Sequence, residues 1–225
     1  MWPQPARISE ERVTLASGGW ELAGDLSVPE SPARVPAVIL LNRAAGDRQA
    51  YRGLADALAR CGIASLRLDL RAHGESTNLG RFVPAEGTEM LKDSDLDVAA
   101  AFEHVKRDPR IDPGPIGFVG ASHSGEFMMV AGRARGYGAA YVGLSPGSLS
   151  DESIAAIDGA SLPWLLVVAR HERHLKEVAQ AYRDQSRTGD FLEVSGTEHA
   201  TGLLADHPGL AERLAVSLQQ LAARP

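Results

Sequence analysis

The chain has 225 residues, 44% of them hydrophobic and 23% charged, which is the balance of a globular protein with enough apolar material for a sizeable core. Its formal net charge of −6 argues against a nucleic-acid partner, because phosphate binding needs a basic face. Cys61 is the only cysteine, so intrachain disulfides and cysteine-built zinc sites are excluded, and a reducing, cytoplasmic setting is expected. At this length residues 1–225 are read as one domain.

The start, MWPQPARISEERV, lacks the apolar centre of a signal peptide. WELAGDLSV alternates apolar and polar residues and reads as an early, half-exposed strand. PAVILLN and IASLRLDL are predicted strands, with the helix AYRGLADALARCG between them. In that helix Leu54, Ala55, Leu58 and Ala59 share one face and Gly62 suits the stop. DSDLDVAAAFEHVKR predicts a helix with Leu96, Ala99, Ala100 and Val105 as its apolar stripe, ended by Pro109. IGFVG, AAYVGLS, LPWLLVVA and DFLEV are further strands separated by helical stretches. A last helix opens near Asp206 and Pro208. Apolar strands alternating with amphipathic helices predict an α/β fold, a mostly parallel sheet covered on both faces. The link from Ser145 to Leu162 is too short to build a separate cap domain, and VPAVILL and LPWLLVVA are too short to cross a bilayer.

In such a sheet the carboxyl ends of the strands carry the site. IGFVGASHSGEF ends a strand with two serines among small residues. A serine on a sharp strand-to-helix turn needs small neighbours two before and two after, the logic of G-x-S-x-G. Ser122 has Gly120 and Ser124 in those places, with Gly125 next; Ser124 would have the bulky, acidic Glu126. Ser122 is therefore the expected nucleophile, and Ser124 reads as a small residue filling a glycine slot.

The chain resembles the α/β-hydrolase superfamily over nearly its whole length. GIASLRLDLRAHGES resembles that family's strand and loop ending in Asp-x-x-x-His-Gly-x-Ser, here Asp69, His73, Gly74 and Ser76. LPWLLVVARHE resembles the strand that delivers the acid, and GTEHATGLL the loop with the catalytic histidine. The resemblance implies His199 as base and Glu172 as acid, in the chain order serine, acid, histidine. Asp151 is the alternative acid, and a solvated Glu172 paired with Arg170 or Arg173 is the alternative reading of that glutamate. His73 is expected to hold its own loop, and the segment NLGRFVPAEGTEM after it to lean over the pocket.

An oxyanion hole needs two backbone N–H groups. His123, directly after Ser122, is expected to give one and Ala44, in the loop LNRAAGD, the other. Where the family usually has His-Gly, this chain has Asn42 and Arg43, read as substrate-facing. Arg43 in a glycine position restricts the backbone there, and Ala72 likewise replaces a usual glycine. HERH does not match the zinc-protease spacing, so no metal is expected. No cofactor is expected either, because no nucleotide-binding glycine motif is present.

The implied activity is a serine hydrolase acting on a small ester, thioester or lactone, with no membrane or nucleic-acid partner. Compact dienelactone-hydrolase-like members are similar in size but use a cysteine nucleophile, which Cys61 at a helix end does not supply. The competing reading is a non-hydrolytic ligand-binding member of the same fold, motivated by Asn42 and Arg43. Oligomeric state is not legible.

Overall fold

The computed structural model describes residues 7–128, 137–147, 164–185 and 189–222. Asp151 and most of the Ser145–Leu162 link lie outside the described residues. Eight strands form one sheet: β1 (Ile8–Ser17), β2 (Trp20–Pro29), β3 (Val35–Leu41), β4 (Ala64–Leu68), β5 (Ile111–Ala121), β6 (Ala140–Leu144), β7 (Trp164–Ala169) and β8 (Gly189–Val194). Their order across the sheet is β1-β2-β4-β3-β5-β6-β7-β8. β1 and β2 pair antiparallel, as do β2 and β4, and every other pairing is parallel.

The helices are α1 (Arg52–Arg60), α2 (Asp95–Arg107), α3 (residues 123–128 among those described), α4 (Arg173–Gln185), α5 (Gly202–Asp206) and α6 (Leu210–Ala222). Two apolar cores result, one on each side of the sheet, because successive side chains of a strand point to opposite faces. Ile39, Leu66 and Phe118 join Val98 and Phe102 of α2 and Ala179 of α4. Val38, Leu40 and Val119 join Leu54 and Leu58 of α1 and Leu214 and Leu218 of α6. The mostly parallel sheet covered on both faces is the architecture expected from the strand and helix pattern.

Three local expectations need correction. β1 was not anticipated: its residues ISEERVTLAS are mostly exposed and polar, which hides a strand from a periodicity argument. It turns into β2 through Gly18 and Gly19, both at positive φ (55° and 87°), a two-residue hairpin turn that glycine makes without strain. β2 is correspondingly an interior strand, bonded on one side to β1 and on the other to β4, and nearly all of it is buried instead of half-exposed.

The stripe expected on α2 is also rotated. Leu96 is exposed, Ala99 and Ala100 are half-buried, and the buried face is Asp97, Val98, Ala101, Phe102 and Val105. Asp97 sets that rotation. Its carboxylate, fully buried, accepts the Ser17 hydroxyl (2.6 Å), the Arg71 backbone N–H (2.9 Å) and the Arg71 guanidinium (2.7 Å). Arg71 is itself buried and also donates to the Lys92 carbonyl (2.6 Å). The pair ties β1, α2 and the loop after β4 together.

Removing one member of such a pair strands the other as an uncompensated buried charge. Asp97→Ala is expected to destabilise the protein by about 3 kcal/mol or more. The melting temperature followed by circular dichroism should then fall by roughly 6–12 °C for a domain of this size. A loss no larger than that of an exposed control such as Asp56→Ala would contradict the bracing role.

Candidate active site

The parallel strands deliver the expected residues at their carboxyl ends, together with Ser145, which the sequence did not single out. β3 runs into Asn42–Ala44, β5 into Ser122, β6 into Ser145, β7 into Glu172 and β8 into His199.

Ser122 sits at the turn from β5 into α3 with φ of 51°, a left-handed conformation that a side-chain-bearing residue adopts only under strain. The neighbours enforce it. The Ser122 N–H donates to the Leu144 carbonyl (2.9 Å) and its carbonyl accepts from the Gly147 N–H (3.0 Å). A side chain at Gly120 would come within 2.6 Å of the Ser124 carbonyl, and one at Gly125 within 3.2 Å of both Gly120 and Pro146. The turn closes because both positions are glycine.

Ser124 does more than fill a small slot. It is fully buried, and its hydroxyl accepts the Ala121 N–H (2.8 Å) and donates to the Leu41 carbonyl (2.9 Å). Leu41 is the last residue of β3, so this bond joins the elbow to the strand that carries the Asn42–Ala44 loop.

Glu172 and His199 meet directly: His199 Nδ1 lies 2.5 Å from Glu172 Oε1. A carboxylate can only accept, so Nδ1 carries the proton and Nε2 of the neutral ring is the basic nitrogen. The other carboxylate oxygen, Oε2, accepts the Ala169 N–H (2.8 Å) and the Ser145 hydroxyl (2.8 Å). Burial alone would raise the Glu172 carboxyl above the usual range. The hydrogen bonds from His199, Ala169 and Ser145 outweigh it and hold the carboxyl below that range. The Glu172 side chain is 7% exposed and the His199 side chain 46%, so the acid is shielded while the imidazole is open to an incoming molecule. Arg170 pairs with Glu193 (3.0 Å), so it is not the partner of Glu172. Among the described residues no hydrogen bond joins the Ser122 hydroxyl to His199; contacts of this kind tighten when substrate is bound.

The Asn42–Ala44 loop is firmly built. Asn42 is 1% exposed, and its side chain accepts the Leu70 N–H (2.8 Å) and donates to the carbonyls of Arg43 (2.8 Å) and Gly46 (3.2 Å). Its polar atoms are therefore engaged inside the fold, bracing this loop against the loop after β4. Arg43 stays out of the left-handed region; Ala45, with φ of 55°, takes it instead, so the substituted glycine position is not strained. The Ala44 N–H enters no hydrogen bond among the described residues. His123 opens α3, where N–H groups have no intrahelical partner.

The Asp-x-x-x-His-Gly-x-Ser string is a brace. Asp69, fully buried, accepts the Arg48 N–H (2.7 Å), the Arg48 guanidinium (2.5 Å) and the Glu75 N–H (3.0 Å). Gly74 is forced by that carboxylate: a Cβ there would lie 2.1 Å from it, at a φ of 49°. Ser76 donates to the Asp69 carbonyl (2.7 Å) and accepts from Ala23 N–H (2.8 Å). Ala72, in the other glycine position, has φ of 64° and carries the strain that a glycine would avoid. His73 Nδ1 donates to the Arg71 carbonyl (2.8 Å), and the ring stacks on Phe82 of the segment that follows (5.3 Å). Arg48 was not singled out in the sequence, because nothing local distinguishes it from a surface arginine.

His171 of HERH lies against the Gly196 carbonyl (3.2 Å), and no group of three potential metal ligands occurs among the described residues. A groove of about 480 Å³ lined by Thr14, Ala100, His104 and Arg107 contains none of the site residues. Among the described residues, no helix is long and apolar enough to cross a membrane.

No protein-family model matches the sequence, and no curated protein matches it either. Solved structures do. A dienelactone hydrolase from Anabaena variabilis superposes with a TM-score of 0.71 at 19% identity, over 95% of this chain and 96% of that one. Est1E from Butyrivibrio proteoclasticus, solved with ferulic acid, gives 0.73 at 18% identity over 92% and 96%. The Pyrococcus furiosus esterase Pf2001 gives 0.74 at 15% identity over 96% and 94%. The chain has the α/β-hydrolase fold.

Two imidazoles, the buried His73 and the half-buried His123, give the stability a pH dependence. Burial holds both His73 and His123 below the ordinary histidine value, and for His123 the nearby His73 adds to the effect. The unfolded chain therefore binds protons at these rings from about pH 6.5 downward while the folded chain does not. The stability these rings contribute is full above that pH and is lost as the pH falls below it toward their lower folded-state values. Thermal melts at pH 7.5 and 5.0 should show a lower melting temperature at pH 5.0, and His73→Asn should narrow the gap. An unchanged gap would remove His73 from the explanation.

Proposed function

We propose that the protein is a serine hydrolase that cleaves a small carboxylic ester, thioester or lactone through an acyl-enzyme. The observation that carries this reading is the Glu172–His199 bond after β7 and β8, at the same carboxyl rim of the sheet as the strained serine after β5. The three-dimensional similarity to esterases and a dienelactone hydrolase supports it.

Ser122 Oγ attacks the carbonyl carbon and its proton passes to His199 Nε2. Glu172 holds the imidazole in the required tautomer and offsets the positive charge that forms on it. The N–H groups of His123 and Ala44 receive the oxyanion of the tetrahedral intermediate. The intermediate collapses, His199 returns the proton to the leaving group, and Ser122 is left acylated. A water then gives its proton to His199 and attacks the acyl carbon; as this second intermediate collapses, His199 returns the proton to Ser122 Oγ and the acid leaves. Asn42 acts here by fixing the loop that presents Ala44. Arg43, half-buried with one guanidinium nitrogen 3.3 Å from the Ala44 carbonyl, retains donors for a carboxylate on the substrate.

A ligand-binding role without hydrolysis is the second reading, favoured by the missing hydrogen bond between Ser122 and His199. Intact-mass labelling with a fluorophosphonate separates the two. One adduct on the wild type, mapped to Ser122 and absent from His199→Ala, is expected. Folded wild type that takes no adduct would assign the fold to binding.

On an ester that the wild type turns over, Ser122→Ala and His199→Ala should each lower kcat/KM by about 10⁴- to 10⁶-fold. Glu172→Gln should also cripple turnover. Ser124→Ala should retain activity within about tenfold, while losing about 1 kcal/mol of stability with its hydrogen bonds. A dead Ser124→Ala beside an active Ser122→Ala would move the nucleophile.

A further inference from the structure

Ser145 ends β6, in a place where nothing in the sequence calls for a hydroxyl. It is fully buried and has φ of 41°, a left-handed conformation that glycine or asparagine would adopt with less strain. Its backbone N–H donates to the Val167 carbonyl of β7 (2.7 Å). Its hydroxyl lies 2.8 Å from Glu172 Oε2 and 3.0 Å from the Ala200 nitrogen.

The direction of both bonds is fixed. The Ala200 nitrogen can only donate, so the Ser145 oxygen accepts there, and its single proton goes to the carboxylate. Ala200 directly follows His199 and is itself left-handed, with φ of 56°. One hydroxyl thus touches the acid after β7 and the peptide bond next to the base after β8, from a residue pinned at the end of β6. Serine in a strained backbone position, fully engaged at both ends of its hydroxyl, indicates that the hydroxyl itself is required.

We propose that Ser145 is a positioning residue of the triad: its hydroxyl locks the outer carboxylate oxygen of Glu172 and the loop carrying His199 into one register. This rests on the hydrolase reading of the site. With Oε2 held by Ser145 and Ala169, the other oxygen faces His199 Nδ1 and the carboxylate cannot rotate away. Without the hydroxyl, one of two anchors on Oε2 is lost, and the Ala200 N–H loses its acceptor. The His199 ring then samples several orientations, and the transfer of the Ser122 proton slows.

The test compares Ser145→Gly, which fits the left-handed backbone but lacks the hydroxymethyl group, with Ser145→Ala, which lacks only the hydroxyl, and wild type. Two readouts are taken on the intact protein. The first is the NMR signals of the His199 ring, assigned by their loss in His199→Gln. The second is fluorophosphonate labelling as a function of reagent concentration. In Ser145→Gly the ring signals should shift and broaden while the melting temperature stays within a few degrees of wild type. The maximal labelling rate constant should fall by about 10- to 100-fold with the half-saturating concentration unchanged.

Ring signals in Ser145→Gly that match wild type overturn the proposal, whatever the labelling does. Changed ring signals in Ser145→Gly, together with a wild type that never labels, would keep the positioning role and sink the hydrolase reading. Normal labelling kinetics in Ser145→Gly, with wild type labelling well, would sink the positioning role and leave the hydrolase reading intact. If Ser145→Ala fails and Ser145→Gly is normal, the residue serves only the backbone turn, which also overturns it.

Discussion

The left-handed backbone at Ser122 is the constraint on which the site depends. An L-residue in that region carries roughly 1–2 kcal/mol of strain and relaxes unless its surroundings forbid it. Here they do so from several sides. Leu144 and Gly147 grip both ends of the peptide unit, Gly120 and Gly125 leave room for the sharp turn, and Ser124 stitches the turn to β3. The same device recurs at Ser145 and Ala200, on the strand ends that carry the rest of the site. A parallel sheet presents its strand ends side by side, so left-handed residues directly beyond β5 and β6 turn the chain sharply at the shared rim.

The loops at that rim are held by ionic braces as well as by apolar packing. Asp69 with Arg48 anchors the end of the Asn42–Ala44 loop to the loop after β4, and Asp97 with Arg71 anchors that second loop to α2. Both aspartates are fully buried, so the desolvation penalty is large and complete hydrogen bonding is needed to offset it. Each carboxylate has three or more donors, including backbone N–H groups. Backbone donors fix the direction of the loop as well as its distance, which is what presenting the Ala44 N–H requires.

What could be read from the sequence follows from how local each signal is. The elbow was legible because its steric demand falls on neighbours within five residues. The strands β3 to β8 and α1 were legible because apolar runs and a helical stripe are local patterns too. The face of α2 was not, because a buried aspartate outweighed the apolar count, and its partners Ser17 and Arg71 are distant in the chain. β1 was hidden by its polar composition. Arg43 in a glycine position looked restrictive, but the left-handed residue is Ala45, two places on. Ser145 carried no mark at all: its importance lies in two contacts 27 and 55 residues away.

The arrangement also bears on whether chemistry or binding alone is served. A pocket that only binds has no use for a strained serine, nor for a shielded carboxylate whose one free oxygen is aimed at an imidazole. Both features raise the energy of the folded chain or restrict its design, and neither adds contact area for a ligand. They make sense if the serine must be bared and the imidazole must accept a proton at Nε2 without losing its orientation. The departures at Asn42 and Arg43 leave the loop intact, because Asn42 braces it from within and neither residue takes a left-handed backbone. Arg43, half-buried beside the Ala44 carbonyl, brings a cation to that loop.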